Sequence, residues 1–249
     1  PDAPDGVMAQ LLSALPPQVM VFSNGGVAGG NFDPCTPAQA AEKLGLSYEN
    51  RWFTDVADSP YAEAIHAMGV YQLLNGTAPG RFSPKDKLTR AQLCVMLARV
   101  LNVTSAGSAR FSDVAPDAWY ADGANAMAEL GLVDGVGDGR FNPEGVLTNE
   151  EFLTIMGRMA RFLNFALDDY GEAVERSPLP AGAQAMLADY SDWAKSGVAV
   201  LAWGLAEALE GRGDMLYTSF ADIVPSAPVL REEAAAGMYA VLAGLDILP

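Results

Sequence analysis

Gly80-Arg81-Phe82-Ser83-Pro84, leading to Leu88-Thr89-Arg90-Ala91-Gln92, and Gly139-Arg140-Phe141-Asn142-Pro143, leading to Leu147-Thr148-Asn149-Glu150-Glu151, are two versions of one sentence. Phe82 and Phe141, Pro84 and Pro143, and Thr89 and Thr148 all stand 59 residues apart. Upstream of each lies a related opening, Phe53-Thr54-Asp55-Val56 and Phe111-Ser112-Asp113-Val114, whose aromatics stand 58 apart. One residue of slack over such a span marks a duplicated supersecondary unit, because unrelated segments do not hold register.

The duplicated unit reads as helical. Thr89 followed by Gln92, and Thr148 followed by Glu151, are capping boxes, in which the hydroxyl accepts from the third helical residue and that residue's side chain reaches back. Each threonine therefore starts a helix. Downstream, Leu93, Met96, Leu97, Val100 and Leu101 share one face, as do Phe152, Ile155, Met156, Met159 and Leu163, at helical spacing. A shorter helix is predicted earlier in each copy, from Asp58-Ser59-Pro60, where proline suits the first turn, and from near Asp117. A helix-loop-helix unit of this kind cannot cover its own apolar face, and about three must stack to bury a shared core.

The order F-x-D-V, an aromatic, L-G-L/V, G-x-F-x-P and L-T-R-A-E/Q resembles the S-layer homology (SLH) domain of bacterial surface proteins. Repeat 1 occupies 51–108 and repeat 2 occupies 109–167. A third, degenerate copy occupies 190–249, with Tyr190-Ser191-Asp192-Trp193 for the opening and Val229-Leu230-Arg231-Glu232-Glu233 for the close, but without G-x-F-x-P. In the N-terminal segment, 1–50, Gly26 to Pro34 aligns without gaps on Gly135 to Pro143. That segment reads either as a partial fourth copy or as a Gly-rich loop entering a capped helix. Residues 168–189, with Ser177-Pro178-Leu179-Pro180, form a connector insertion. The resemblance implies an all-α fold, a pseudo-threefold helical bundle of tandem repeats with grooves between adjacent prongs.

Composition narrows the partners. Half of the 249 residues are hydrophobic, enough to bury a core. Acidic residues outnumber basic ones 31 to 15, and the formal charge of −16 repels nucleic acid and anionic lipid, so an anionic ligand needs a local basic pocket. No apolar run approaches the roughly 18 residues that span a bilayer, so no membrane insertion is expected. The chain opens at Pro1 with no charged and apolar leader, which reads as a signal peptide absent or already removed. Cys35 and Cys94 read as two separate thiols in preference to a disulfide.

Catalytic and metal chemistry find little to build on. The single histidine, His66, beside Ile65 and Met68, reads as an edge-of-core residue and makes a Ser-His-Asp arrangement improbable. Around Asp134, Asp138, Gly139 and Asn142 the spacing of a calcium loop fails, with Val136 and Gly145 where carboxylates belong. The Gly-rich stretches lack the Lys-Ser/Thr of a phosphate cradle. No enzyme activity, cofactor or metal is expected.

The resemblance implies recognition of an acidic sugar, a bacterial secondary cell-wall polysaccharide carrying pyruvate ketals, with the arginine of the Thr-Arg motif meeting the carboxylate. A guanidinium fork holds a carboxylate by two parallel bonds, and a helix N-terminus adds a favourable dipole. Arg90 and Arg231 hold that position, whereas Asn149 lacks the charge. By position Asp55, Asp113 and Asp192 match the opening aspartate, which either accepts from sugar hydroxyls or caps its own turn. Trp119 and its counterpart Tyr61 match an aromatic that either stacks on sugar or fills the core. Gly76 and Gly135 match a glycine that admits ligand to the backbone, or else serve a turn needing positive φ. The reading is a non-catalytic anchor in the extracellular wall or S-layer, with surface-protein cargo in the full-length chain. The alternative is an SLH-derived scaffold that has lost most glycan binding.

Overall fold

The computed structural model describes residues 53–70, 73–107, 110–163, 185–205, 223–245 and 247. The candidate partial copy in 1–50, Cys35 and most of the connector lie outside the described residues. Among the described residues six α-helices form the frame: α1 (Ala62–Val70), α2 (Arg90–Val100), α3 (Ala121–Glu129), α4 (Asn149–Leu163), α5 (Asp192–Ala199), which runs on into a π-helical stretch Val200–Leu205, and α6 (Arg231–Gly244). Among the described residues there are isolated β-bridges but no strand, and the fold is all-α.

The capping boxes form where the sequence puts them. Thr89 Oγ1 accepts from the Gln92 N–H and Gln92 Oε1 from the Thr89 N–H, both at 3.3 Å. Thr148 Oγ1 accepts from the Glu151 N–H at 3.3 Å and Glu151 Oε2 from the Thr148 N–H at 2.9 Å. In α6 leucine replaces the threonine, and only the return bond survives, Leu230 N–H to Glu233 Oε2 at 2.7 Å. The short helices begin later than predicted, at Ala62 and Ala121, because hydrogen-bonded turns at Ser59 and Ala118 come first.

The closing helix of each copy packs on the opening helix of the next: α2 on α3, α4 on α5, and α6 back on α1. Glycine lets the second pair come close. A Cβ on Gly157 of α4 would lie 2.4 Å from the Gly197 carbonyl oxygen of α5, well inside the contact distance of packed atoms. Helix α6 is buried on nearly every side, from Arg231 to Gly244, with Glu233 half-buried, which explains its alanine-rich sequence.

A closed ring of backbone bonds joins the segments that precede α2, α4 and α6. The Leu88 N–H donates to Val229 O, Val229 to Leu147 O, and Leu147 to Leu88 O, each at 3.0 Å. The first two N–H groups of each closing helix are satisfied from the next loop in the same sense: Arg90 and Ala91 by Gly145 O and Pro143 O, Asn149 and Glu150 by Ala227 O and Pro225 O, Arg231 and Glu232 by Asp86 O and Pro84 O. Pro225 thus stands where Pro84 and Pro143 stand, six residues before the first helical residue in every copy. The third copy keeps the end of the loop although it lacks the G-x-F-x-P sequence.

The core centres on Phe82, Phe141 and Phe152. His66, 2% exposed, lies inside it and not at its edge. Cys94 is a buried free thiol whose pKa burial pushes up to about 12, an inert packing group at neutral pH.

Candidate functional site

The opening aspartates hold the G-x-F-x-P loops. Asp55 accepts from the N–H groups of Phe82 and Ser83, each at 2.8 Å, and Asp113 from those of Phe141 and Asn142 at 2.7 and 2.8 Å. Gly80 and Gly139 turn the loop at φ of 69° and 66°, and Ser83 and Asn142 follow in the same left-handed region. Phe53 packs on Phe82 and Phe111 on Phe141, with ring centroids 5.3 and 5.1 Å apart. The five-residue motif is therefore a turn gripped from beneath by F-x-D.

Desolvation pushes both carboxyls up, but the backbone N–H donors, with Arg81 beside Asp55 and Arg140 beside Asp113, outweigh it and hold them below the usual carboxylate range. A depressed folded-state pKa contributes stability that is fully present above the unfolded value of about 4 and is lost as pH falls through the folded value. The expected melting temperature is level from neutral pH to about pH 5 and falls below about pH 4. Asp55→Asn should flatten part of that fall. A melting temperature that rises on acidification would contradict the assignment.

Each signature arginine serves the loop of the next copy. Arg90 Nε donates to Phe141 O at 2.8 Å and Nη2 to Asp134 O at 2.6 Å, its guanidinium 4.9 Å from the Phe141 ring centroid. Nη1 faces Glu151 at 3.9 Å. Arg231 Nε donates to Phe82 O at 3.0 Å and Nη2 to Asn75 O at 3.4 Å, 4.8 Å from the Phe82 ring centroid. Asn149 makes the neutral version of the reach, Nδ2 to Val224 O at 3.0 Å. The forks expected to meet a ligand are thus already bonded to carbonyls, and the first helical N–H groups are capped by the neighbouring loop.

Gly76 and Gly135 sit beside these carbonyls. Neither has a positive φ; a Cβ would lie 2.1 Å from Arg81 O at Gly76 and 2.6 Å from Arg140 O at Gly135. Close approach of two backbone segments requires them, not the turn that sequence suggested. Arg231, Asp55 and Gly76 converge on the first loop, and Arg90, Asp113 and Gly135 on the second.

The third copy departs from the expected register. Asp192 is the first residue of α5, its carboxylate 96% exposed and 2.5 Å from Lys195 Nζ. Ser191 is the informative residue instead. Its N–H and hydroxyl donate to the Glu150 carboxylate at 3.0 and 3.2 Å, as the Ser59 hydroxyl donates to Glu232 at 2.7 Å. That places Trp193 opposite Tyr61. In the second copy the same place belongs to Tyr120, 59 residues from Tyr61, and not to Trp119. Trp119 stands 64% exposed with Tyr120 edge-on at 5.3 Å, and Trp193 is 56% exposed; Tyr61 is half-buried. The serine two residues before the aromatic was the available signal for Trp193.

Among the described residues, no group of three or more His, Cys, Asp or Glu is placed to hold a metal ion, and no helix is long and apolar enough to cross a membrane. Residues 53–94 and 110–153 match the family model of the S-layer homology domain. The chain is 29% identical over 196 residues to the surface-layer 125 kDa protein of Lysinibacillus sphaericus, 77% of this chain and 15% of that one. It is 27% identical over 194 residues to exoglucanase XynX of Acetivibrio thermocellus, 76% of this chain and 16% of that one. To the cellulosome-anchoring protein of the same species it is 34% identical over 87 residues, 33% of this chain and 20% of that one. The matched region thus spans a fifth or less of each relative. The location these relationships indicate is extracellular, at the cell wall. The chain thus contains two segments that match the S-layer homology domain, at residues 53–94 and 110–153.

Proposed function

We propose that the chain is a non-catalytic module that anchors a larger surface protein by binding the anionic, pyruvylated secondary polysaccharide of the wall. Its repeats, at 51–108, 109–167 and 190–249, form a pseudo-threefold bundle, a reading supported by the closed ring through Leu88, Leu147 and Val229. The observation that carries the function is the family match at the two copies with intact gripped loops. The grooves lie where one copy's arginine crosses to the next copy's loop. Arg90 and Arg231 fix the groove floor and lend it charge against a background of −16, Asp55, Asp113 and Asp192 accept from sugar hydroxyls, Gly76 and Gly135 let the loop backbones close together beneath the groove, and Trp119 and Tyr61 offer faces for stacking. Hydrolysis, as in the exoglucanase relative, would require a catalytic domain outside this chain.

A second reading, a scaffold that has lost glycan binding, is favoured by the neutral Asn149 and by the internal bonding of the arginine forks. Purified wall sacculi separate the two. Retention of the chain, abolished when acid extraction removes the secondary polymer, supports the anchor; retention indifferent to extraction supports the scaffold. Calorimetry with a pyruvylated N-acetylmannosamine glycoside is expected to show fewer than three sites, and Asn149→Arg to add one. Three equal sites in the wild type would contradict this account of the second copy.

A further inference from the structure

The sequence holds two Asn-Gly pairs, Asn24-Gly25, outside the described residues, and Asn75-Gly76, at the start of the first loop. In such a pair the backbone nitrogen reaches the preceding side-chain amide most readily, because glycine has no Cβ to shield its own N–H. The structure sets Asn75 apart from the other described asparagines. Asn102 and Asn149 precede N–H groups that are already committed, Val103 to Ala98 O and Glu150 to Pro225 O, each at 3.0 Å. Asn125 precedes Ala126 inside α3, and Asn142 precedes Pro143, which has no N–H. Asn75 is exposed and outside any helix, and among the described residues no backbone carbonyl accepts from the Gly76 N–H.

The peptide unit between Asn75 and Gly76 also has a cation beside it. Arg231, buried at the start of α6, donates from Nη2 to Asn75 O at 3.4 Å. When the Gly76 nitrogen loses its proton, the negative charge is shared with that oxygen, and a fixed cation aimed at it favours the anion. The attacking atom is thus activated by the residue that ties α6 to the first loop. Water and hydroxide reach the pair through an open recess of about 560 Å³ that Asn75, Gly76 and Arg99 line.

We infer that Asn75-Gly76 is a spontaneous modification site of the folded chain, at which the Gly76 nitrogen closes on Asn75 Cγ while Arg231 holds the charge on Asn75 O. The N–Cγ bond forms as the Cγ–Nδ2 bond breaks. The side-chain amide leaves as ammonia, taking the proton that Gly76 N gave up, and a succinimide remains. Water then opens either ring carbonyl, giving aspartate or isoaspartate at position 75, with no change of oxidation state. The two products differ in consequence. Aspartate places a carboxylate in the recess shared with Arg99, at the position where Asp134 pairs with Arg158 at 2.8 Å in the second copy. Isoaspartate adds a carbon to the main chain just before Gly76, where a Cβ would already lie 2.1 Å from Arg81 O, and so forces the loop apart. Asp134-Gly135 is protected from the same reaction, since a carboxylate paired with Arg158 is a poor electrophile.

The test incubates the full folded chain in mildly alkaline buffer and follows the tryptic peptide 52–81, which contains Asn75 and no other asparagine, by mass and by isoaspartyl methyltransferase labelling. Ammonia loss at Asn75 is expected to run at least about tenfold faster than at Asn102, Asn125, Asn142 or Asn149, to quicken with pH, and to yield isoaspartate and aspartate together. Chains carrying isoaspartate should melt lower than unmodified ones, and Asn75→Asp should not. Asn75→Gln, whose longer side chain would have to close a larger ring, should stay unmodified at that position. A folded chain that keeps Asn75 intact while the urea-unfolded chain loses it would overturn the inference. Aspartate without isoaspartate would overturn the succinimide route, and loss no faster in the folded chain than in the unfolded one would overturn the part given to Arg231.

Discussion

Arg231→Ala is expected to lower the free energy of unfolding by about 3 kcal/mol. The side chain is 4% exposed, and its loss leaves Phe82 O and Asn75 O without their charged donor and removes the cation from the Phe82 ring. The damage falls on a contact between residues 149 positions apart, one of several that join the start of α6 to the first copy. Arg231→Lys should recover only a minor part, because an ammonium cannot lie flat on the ring and reach two carbonyls together. Arg90→Ala should cost somewhat less, since Arg90 is 9% exposed against 4% for Arg231. Urea titration followed by circular dichroism measures all three. A loss below about 1 kcal/mol for Arg231→Ala, the level of an exposed ion pair, would mean that the stitch between copies is ornamental.

Gly157→Ala is the second large effect. In an ordinary helix this change stabilises by about 1 kcal/mol. Here the new methyl would lie 2.4, 2.6 and 2.8 Å from three backbone atoms of Gly197, and backbone cannot swing aside as a side-chain tip can. Overpacking of this kind typically costs 1–3 kcal/mol, so the net expectation is a loss of about 2 kcal/mol with α4 and α5 forced apart. Gly123→Ala is the internal control: its contacts to Cys94 and Val95 of α2 are at 3.1 Å, and propensity and crowding should nearly cancel. Equal effects at the two glycines would show that the helix pairs tolerate more adjustment than these distances imply.

The parts of the fold legible in the sequence are those that act over a few residues. The helix starts after Thr89 and Thr148 follow from bonds spanning three positions, and the apolar faces follow from a 3.6-residue period. The hidden parts act at a distance. Nothing within ten residues of Arg90 announces that its fork belongs to Asp134 and Phe141, and nothing near Gly76 announces that Arg81 O presses against it. In the third copy Tyr190-Ser191-Asp192-Trp193 offers an aromatic and an aspartate at the spacing of an opening motif. Structurally the serine matters, since Glu150 reaches it from another helix.

The ring through Leu88, Leu147 and Val229 also bears on how such a module would carry load. An open stack of repeats peels from an exposed end, each interface failing in turn at a low force. A ring has no end from which to peel. Tension drawn through the chain would bear on three backbone bonds and the crossing side chains in parallel, so yielding at one interface requires yielding at its neighbours. The expected behaviour under pulling is a single abrupt rupture, that of a clasp instead of a zip.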